Sequence, residues 1–406
     1  MTIQVGAHTR NLTDTPQTIA ANQTQAAASS RMFFVDNLRV FLTILVVVFH
    51  LAITYGATGS WCYRERPTTE LAEILLSVFV ILSQMYFMGL FFLISGFFVP
   101  GSVDRKGGVR YLKDRLVRLG IPLVIFALLL SPYIEYIKGI TEGYFSGSLG
   151  DFYLAYWQRM DFAPVPLWFV ELLLAFTIIY LIGRAAWDWI KRYVPQSNSA
   201  PTFHPLTHAK IIASILVLAP LNFAVRLLIP IGEEWNHLGV GFFPQYILMF
   251  GAGILAYRNG WLPDLSSGVR RVWSIMALLT LVAIPLFMIV GGAVDDVTPF
   301  TGGLTWQSGV LGTLEAIFCV SMAIMLLGLF RKKVDGQGRF GKLLSRNAYS
   351  VYIIHPLVII PLAYMLRGVS IDPLLKFALV APLGVSLCFV VAHFLMRRIP
   401  YSDRVL

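Results

Sequence analysis

The chain has 406 residues and a net charge of +10, with 57% hydrophobic residues, 13% charged residues and a mean hydropathy of +0.70. A soluble domain carries about 25% charged residues, so this composition excludes a water-soluble enzyme, a disordered chain and a disulfide scaffold. What remains is an all-α, polytopic membrane bundle, because β-barrel strands would alternate apolar and polar residues instead of running apolar for some twenty positions.

Residues 1–30 are rich in Thr, Gln, Asn, Ala and Ser and lack an apolar run. They are expected to form a disordered cytoplasmic tail with no signal peptide, which makes the sequons at Asn11 and Asn22 chance matches. Residues 31–400 then hold ten apolar stretches, at about 36–56, 73–99, 116–137, 165–187, 209–230, 241–258, 271–291, 305–330, 346–366 and 374–396. Each suffices to cross a hydrocarbon core of about 30 Å. Residues 401–406 form a short C-terminal tail.

With the N-terminus cytoplasmic, most of the 32 Lys and Arg fall in cytoplasmic loops, while Glu233, Glu234, Asp295 and Asp296 fall outside. The positive-inside rule thus predicts that both termini are cytoplasmic, and the basic excess needs no nucleic acid to explain it. Cys62, Cys319 and Cys388 lie far apart, without metal-ligand spacing.

An ionisable residue inside a bilayer is expensive, and each is therefore a functional candidate. The first span carries Asp36, Arg39 and His50. Eleven residues separate Arg39 from His50, so at 100° per residue they lie about 20° apart in azimuth, and Asp36 lies about 40° on the other side of His50. The helix therefore has one polar stripe, with His50 about 16 Å above Arg39. Ser95 and Gly96 in the second span allow a close helix approach. Arg115 and Arg118, with Lys113, open the third span, either as plain positive-inside charge or at a spacing that could grip phosphate. Glu171, Glu315 and His355 lie within later spans, where with His50 they suit acid/base work. Arg226 and His393 read as end-of-helix residues. In the loop at 138–164, Tyr144, Tyr153, Tyr156 and Trp157 read either as an interfacial aromatic belt or as ring faces and polar tips that, with Asp151 and Asp161, could bind a sugar. Neither GxSxG, HExxH, Walker nor GxGxxG contexts occur, so neither a hydrolase nor an NTPase is indicated.

Taken together, Arg39 and His50 in the first span, "FFLISGFF" in the second, Arg115-Leu-Val-Arg118 before "GIPL", "LWFVE" in the fourth and "YSVYIIHP" late in the chain resemble the acyltransferase 3 family. The likeness covers nearly all of residues 31–400 and is strongest to the branch of succinyltransferases of periplasmic glucans. It implies a multi-pass protein of the bacterial inner membrane that moves an acyl group, acetyl or succinyl, from cytoplasmic acyl-coenzyme A to a hydroxyl of an extracytoplasmic glycan or lipid-linked sugar. Acyl-coenzyme A would be a substrate, with no permanently bound cofactor. His50, Arg39 and the Arg115/Arg118 pair match the family's motif positions, while Glu171, Glu315 and His355 match less firmly. The expected roles are general base or acyl carrier for His50, coenzyme A phosphate binding for Arg115 and Arg118, and orientation of the acceptor or of His50 for Glu171. The rival class, a proton-coupled secondary transporter, would show symmetric halves with interrupted helices, and neither is evident.

Overall fold

In the computed structural model, residues 32–66, 68–160, 162, 164, 166–193, 203–262, 265–394 and 398 are described. The expected tails at 1–30 and 401–406, both sequons and Asp161 lie outside them. Among the described residues, ten helical segments are long and apolar enough to span a membrane, and they match the expected positions within a few residues at most ends. They are α1 (Phe33–Thr54), α2 (Glu70–Lys106), α3 (Gly108–Glu142), α5 (Trp168–Ile190), α6 (His208–Arg226), α7 (Val240–Arg258), α8 (Ser267–Val290), α9 (Trp306–Lys333), α10 (Arg339–Met365) and α11 (Pro373–Phe394). A further helix, α4 (Leu149–Arg159), lies within the loop that follows α3.

α1 packs against α2, α9, α10 and α11, which places it at the centre of the bundle. α2 and α7 cross so closely that a Cβ on Gly96 would stand 2.2 Å from the Phe250 carbonyl oxygen, and one on Gly253 2.1 Å from that of Leu93. Only glycine permits this approach, as the Ser95-Gly96 pair suggested. At the basic end, Asp104 binds Arg184 at 2.7 Å and Arg258 at 2.9 Å, tying α2, α5 and α7 together.

α3 is not a uniform helix. Two wide π-type turns, Leu116–Gly120 and Phe126–Leu130, interrupt it, each close to a proline, Pro122 or Pro132. A proline has no N–H to offer the carbonyl four residues back. The freed oxygens of Arg118 and Leu128 are taken by side chains instead: Tyr349 Oη donates to Arg118 O at 3.0 Å, and Trp157 Nε1 to Leu128 O at 3.0 Å. Tyr156 Oη and Tyr153 Oη donate to the neighbouring carbonyls of Ala127 and Leu129, at 3.1 and 2.5 Å.

Candidate functional site

His50 stands near the end of α1, half-buried, and meets His355 of α10. His355 Nε2 lies 3.1 Å from His50 Nδ1, and the two rings stack with centroids 5.0 Å apart. The other nitrogen of His355, Nδ1, lies 2.7 Å from the Tyr352 carbonyl oxygen. A carbonyl can only accept, so His355 Nδ1 must carry the hydrogen. In the neutral ring His355 Nε2 is then an acceptor, and His50 Nδ1 must donate to it. The chain of bonds leaves the lone pair of His50 on Nε2, where a base or nucleophile needs it. Trp61, from the loop after α1, lies flat on His50 at 3.9 Å between centroids, and Phe49 meets it edge-on at 5.3 Å. These contacts fix the plane of the imidazole.

At the basic end, Arg39 is exposed to solvent although its helix is central, and Asp36, Arg115 and Arg118 all act on it electrostatically. Three guanidinium groups thus converge from α1 and the start of α3. Arg115 Nε donates to Tyr111 Oη at 2.9 Å, and Arg118 lies 6.0 Å from the ring centroid of Tyr349. Lys113 is exposed, and it is not among the charges acting on Arg39. Such a cluster suits a multiply charged phosphate ligand, because guanidinium forks match phosphate oxygens two at a time.

α10 links the two ends. Tyr349, Tyr352 and His355 recur every three residues and share one side of the helix. Tyr349 braces Arg118, Tyr352 Oη donates to Pro166 O at 2.6 Å, and His355 holds His50. One helix therefore aligns the arginine cluster with the imidazole pair.

The structure does not bring Glu171 or Glu315 to this centre. Glu171 Oε2 lies 2.9 Å from His237 Nε2. His237 follows Asn236 in a tight turn, with φ of 49° and 58° at the two residues, closed by hydrogen bonds between Trp235 and Leu238. Positive φ at both central positions is the type I′ arrangement, which Asn and His tolerate better than bulkier residues. Glu315 is fully buried and bound by Arg226 Nη2 at 2.7 and 2.9 Å, while Arg226 Nε donates to Gly241 O at 3.1 Å. Arg226 ends α6, as expected, but it is the cation that allows Glu315 to be buried.

The aromatics of the 138–164 loop also differ from expectation. The polar tips of Tyr153, Tyr156 and Trp157 are committed to α3 carbonyls, not turned toward a ligand. Asp151 forms a capping box with Ser148, and the hydrogen bonds from the Ser148 side chain and backbone hold its carboxyl below the usual range. The freed carbonyls of α3 compete for the same donors and win, because an unpaired carbonyl at membrane depth is costly.

Sequence reading missed Trp61, Tyr349, Tyr352 and His237. The i, i+3, i+6 spacing in "YSVYIIH" was a usable signal for the two tyrosines; none marked Trp61 or His237, which act through tertiary contacts.

Comparison with known proteins adds to this geometry. A family model, Acyl_transf_3, described as an acyltransferase domain, matches residues 32–393. Among curated proteins, the chain is 29% identical over 205 residues to glucans biosynthesis protein C of Salmonella heidelberg, covering 49% of this chain and 50% of the relative. It is also 29% identical over 195 residues to the protein of that name from Salmonella paratyphi B, covering 47% of each. The chain thus spans about half the length of the curated relatives it matches. No solved structure matches significantly. With nearly all the described residues inside the family model, this chain belongs to the acyltransferase 3 family.

Proposed function

We propose that the protein is an integral membrane O-acyltransferase that moves a short acyl group, acetyl or succinyl, from acyl-coenzyme A to a hydroxyl of an extracytoplasmic glucan or lipid-linked sugar. The observation that carries this reading is the His355–His50 pair, whose hydrogen bonds leave the lone pair of His50 on Nε2, on the same helix as Arg39 of the arginine cluster.

Donor phosphates bind Arg39, Arg115 and Arg118 at the basic, cytoplasmic end. The extended arm of coenzyme A reaches along α1, whose rise between Arg39 and His50 is about 16 Å. The acceptor approaches from the opposite end. His50 Nε2 takes the hydroxyl proton as the oxygen attacks the thioester carbonyl; the new C–O bond forms, the C–S bond breaks, and the departing thiolate recovers that proton as the coenzyme A thiol. Nε2 is equally placed to carry the acyl group as an acyl-imidazole, which the hydroxyl then opens. Phosphate binding and orientation come from the arginines, and His355 holds the tautomer.

The glucan acceptor is drawn from the printed name of the relatives, and the bacterial inner membrane from their bacterial origin together with the ten apolar helices. A proton-coupled transporter is less well supported, since Glu315, its best buried proton carrier, is ion-paired with Arg226. Mass spectrometry of periplasmic and surface glycans from cells with and without the protein tests the reading. An ester-linked acyl group present only with the protein is expected; identical glycans would remove the proposal.

A further inference from the structure

Away from the imidazole pair, a fissure of about 690 Å³ lies between α6, α7 and α9 and is floored by Leu93 of α2. None of the residues that form the imidazole pair or the arginine cluster lines it. Its volume falls in the range of about 300–1,000 Å³ usual for small-molecule sites. The walls are apolar, and Val217 and Leu255 remain about half exposed at the rim, so the fissure opens toward the bilayer. Gly251 gives it depth: a Cβ built there meets nothing within 4 Å.

The charged lining is confined to the basic end. Lys210 lies in the first turn of α6 and Arg331 in the last turn of α9, and both line the fissure. The Lys210 ammonium is held 5.6 Å from the ring centroid of Trp261, whose Nε1 donates to His204 O at 2.7 Å. Tryptophan is enriched at the headgroup level of a bilayer. No lining residue is acidic. The site therefore combines a long apolar slot with cations at one end only.

We infer that this fissure binds one phospholipid with an anionic headgroup, drawn from the leaflet at the basic end, its acyl chain in the slot and its phosphate beside Lys210 and Arg331. Basic pockets between membrane helices recognise anionic headgroups in this way. Charge complementarity commits the site to an anionic lipid over a zwitterionic one, and the bilayer-facing rim commits it to a lipid over a soluble ligand. The inference is independent of the acyl-transfer proposal.

Native mass spectrometry of the detergent-purified protein, titrated with dioleoylphosphatidylglycerol or dioleoylphosphatidylcholine, tests it. One phosphatidylglycerol should be retained in preference to phosphatidylcholine. At about 1 kcal/mol per basic residue near the surface, the Lys210→Gln/Arg331→Gln variant should lose roughly 25- to 30-fold in that affinity. Gly251→Leu, which fills the slot from open space, should abolish retention of both lipids while keeping the charges. Equal retention of the two lipids, unchanged phosphatidylglycerol affinity in either variant, or displacement of the bound lipid by acyl-coenzyme A would overturn the inference. The two variants alter opposite ends of the site, so a folding defect in one leaves the other decisive.

Discussion

His50 and His355 lie 305 residues apart in the chain and meet through Nδ1 and Nε2 at 3.1 Å, with the Tyr352 carbonyl fixing which nitrogen carries each proton. If that bond sets the tautomer, His355→Ala should lower kcat by about 10- to 100-fold, the equivalent of 1–3 kcal/mol for a buried hydrogen bond left unmade, with little change in KM for either substrate. His355→Asn, whose amide oxygen can accept from His50 Nδ1, should recover part of the loss. Steady-state kinetics on the two variants checks this, and equal defects in both would argue that packing, not acceptance of a proton, is what His355 supplies.

The arginine cluster should govern donor binding. Arg118→Lys keeps the charge but loses the bidentate fork, so acyl-coenzyme A affinity should fall about tenfold, with the acceptor KM unchanged. Equilibrium binding of a non-hydrolysable acyl-coenzyme A analogue measures it. Tyr349→Phe, which removes the donor to the Arg118 carbonyl, should weaken the same binding by a smaller factor.

Glu315 should matter for stability and not for chemistry. Glu315→Gln leaves the Arg226 guanidinium buried without its counter-ion, a loss of about 3–5 kcal/mol, so membrane yield and Tm should drop sharply. The folded fraction should turn over normally, and Arg226→Met/Glu315→Leu should restore much of the yield. A folded Glu315→Gln protein with kcat reduced a hundredfold would return Glu315 to the catalytic group.

The aromatics that follow α3 should behave in the same structural manner. Tyr153→Phe/Tyr156→Phe/Trp157→Phe retains the ring faces and deletes three hydrogen bonds to α3 carbonyls. At about 1 kcal/mol each, Tm should fall by several degrees while the acceptor KM stays put. A raised acceptor KM at unchanged Tm would show instead that the polar tips meet the acceptor.

The spans were readable because a membrane helix is a local property: twenty apolar residues in a row suffice, whatever they touch. The shared face of Asp36, Arg39 and His50 was readable for the same reason, since azimuth follows from spacing alone. Partners were not. Nothing in the first span announces that His355 completes His50, and Trp61 joins the pair only because the loop after α1 folds back over it. Glu171 and Glu315 looked alike as lone carboxyls in apolar stretches, yet one met a loop histidine and the other a buried arginine. The prolines of α3 carried an unused signal, because each implies an unsatisfied carbonyl four residues earlier, and both found side-chain donors.

The central claim is that His50 drives the transfer of an acyl group from a donor at the basic end to an acceptor at the other. Proteoliposomes holding wild-type protein or His50→Ala in a uniform orientation, with glucan sealed on one side and acyl-labelled acyl-coenzyme A added to the other, test it most directly. The wild type should transfer label to the glucan across the bilayer, and His50→Ala, matched for insertion, should transfer it about 10²- to 10⁴-fold more slowly. Equal transfer by the two proteins, or label reaching glucan only when donor and acceptor share a side, would contradict the account.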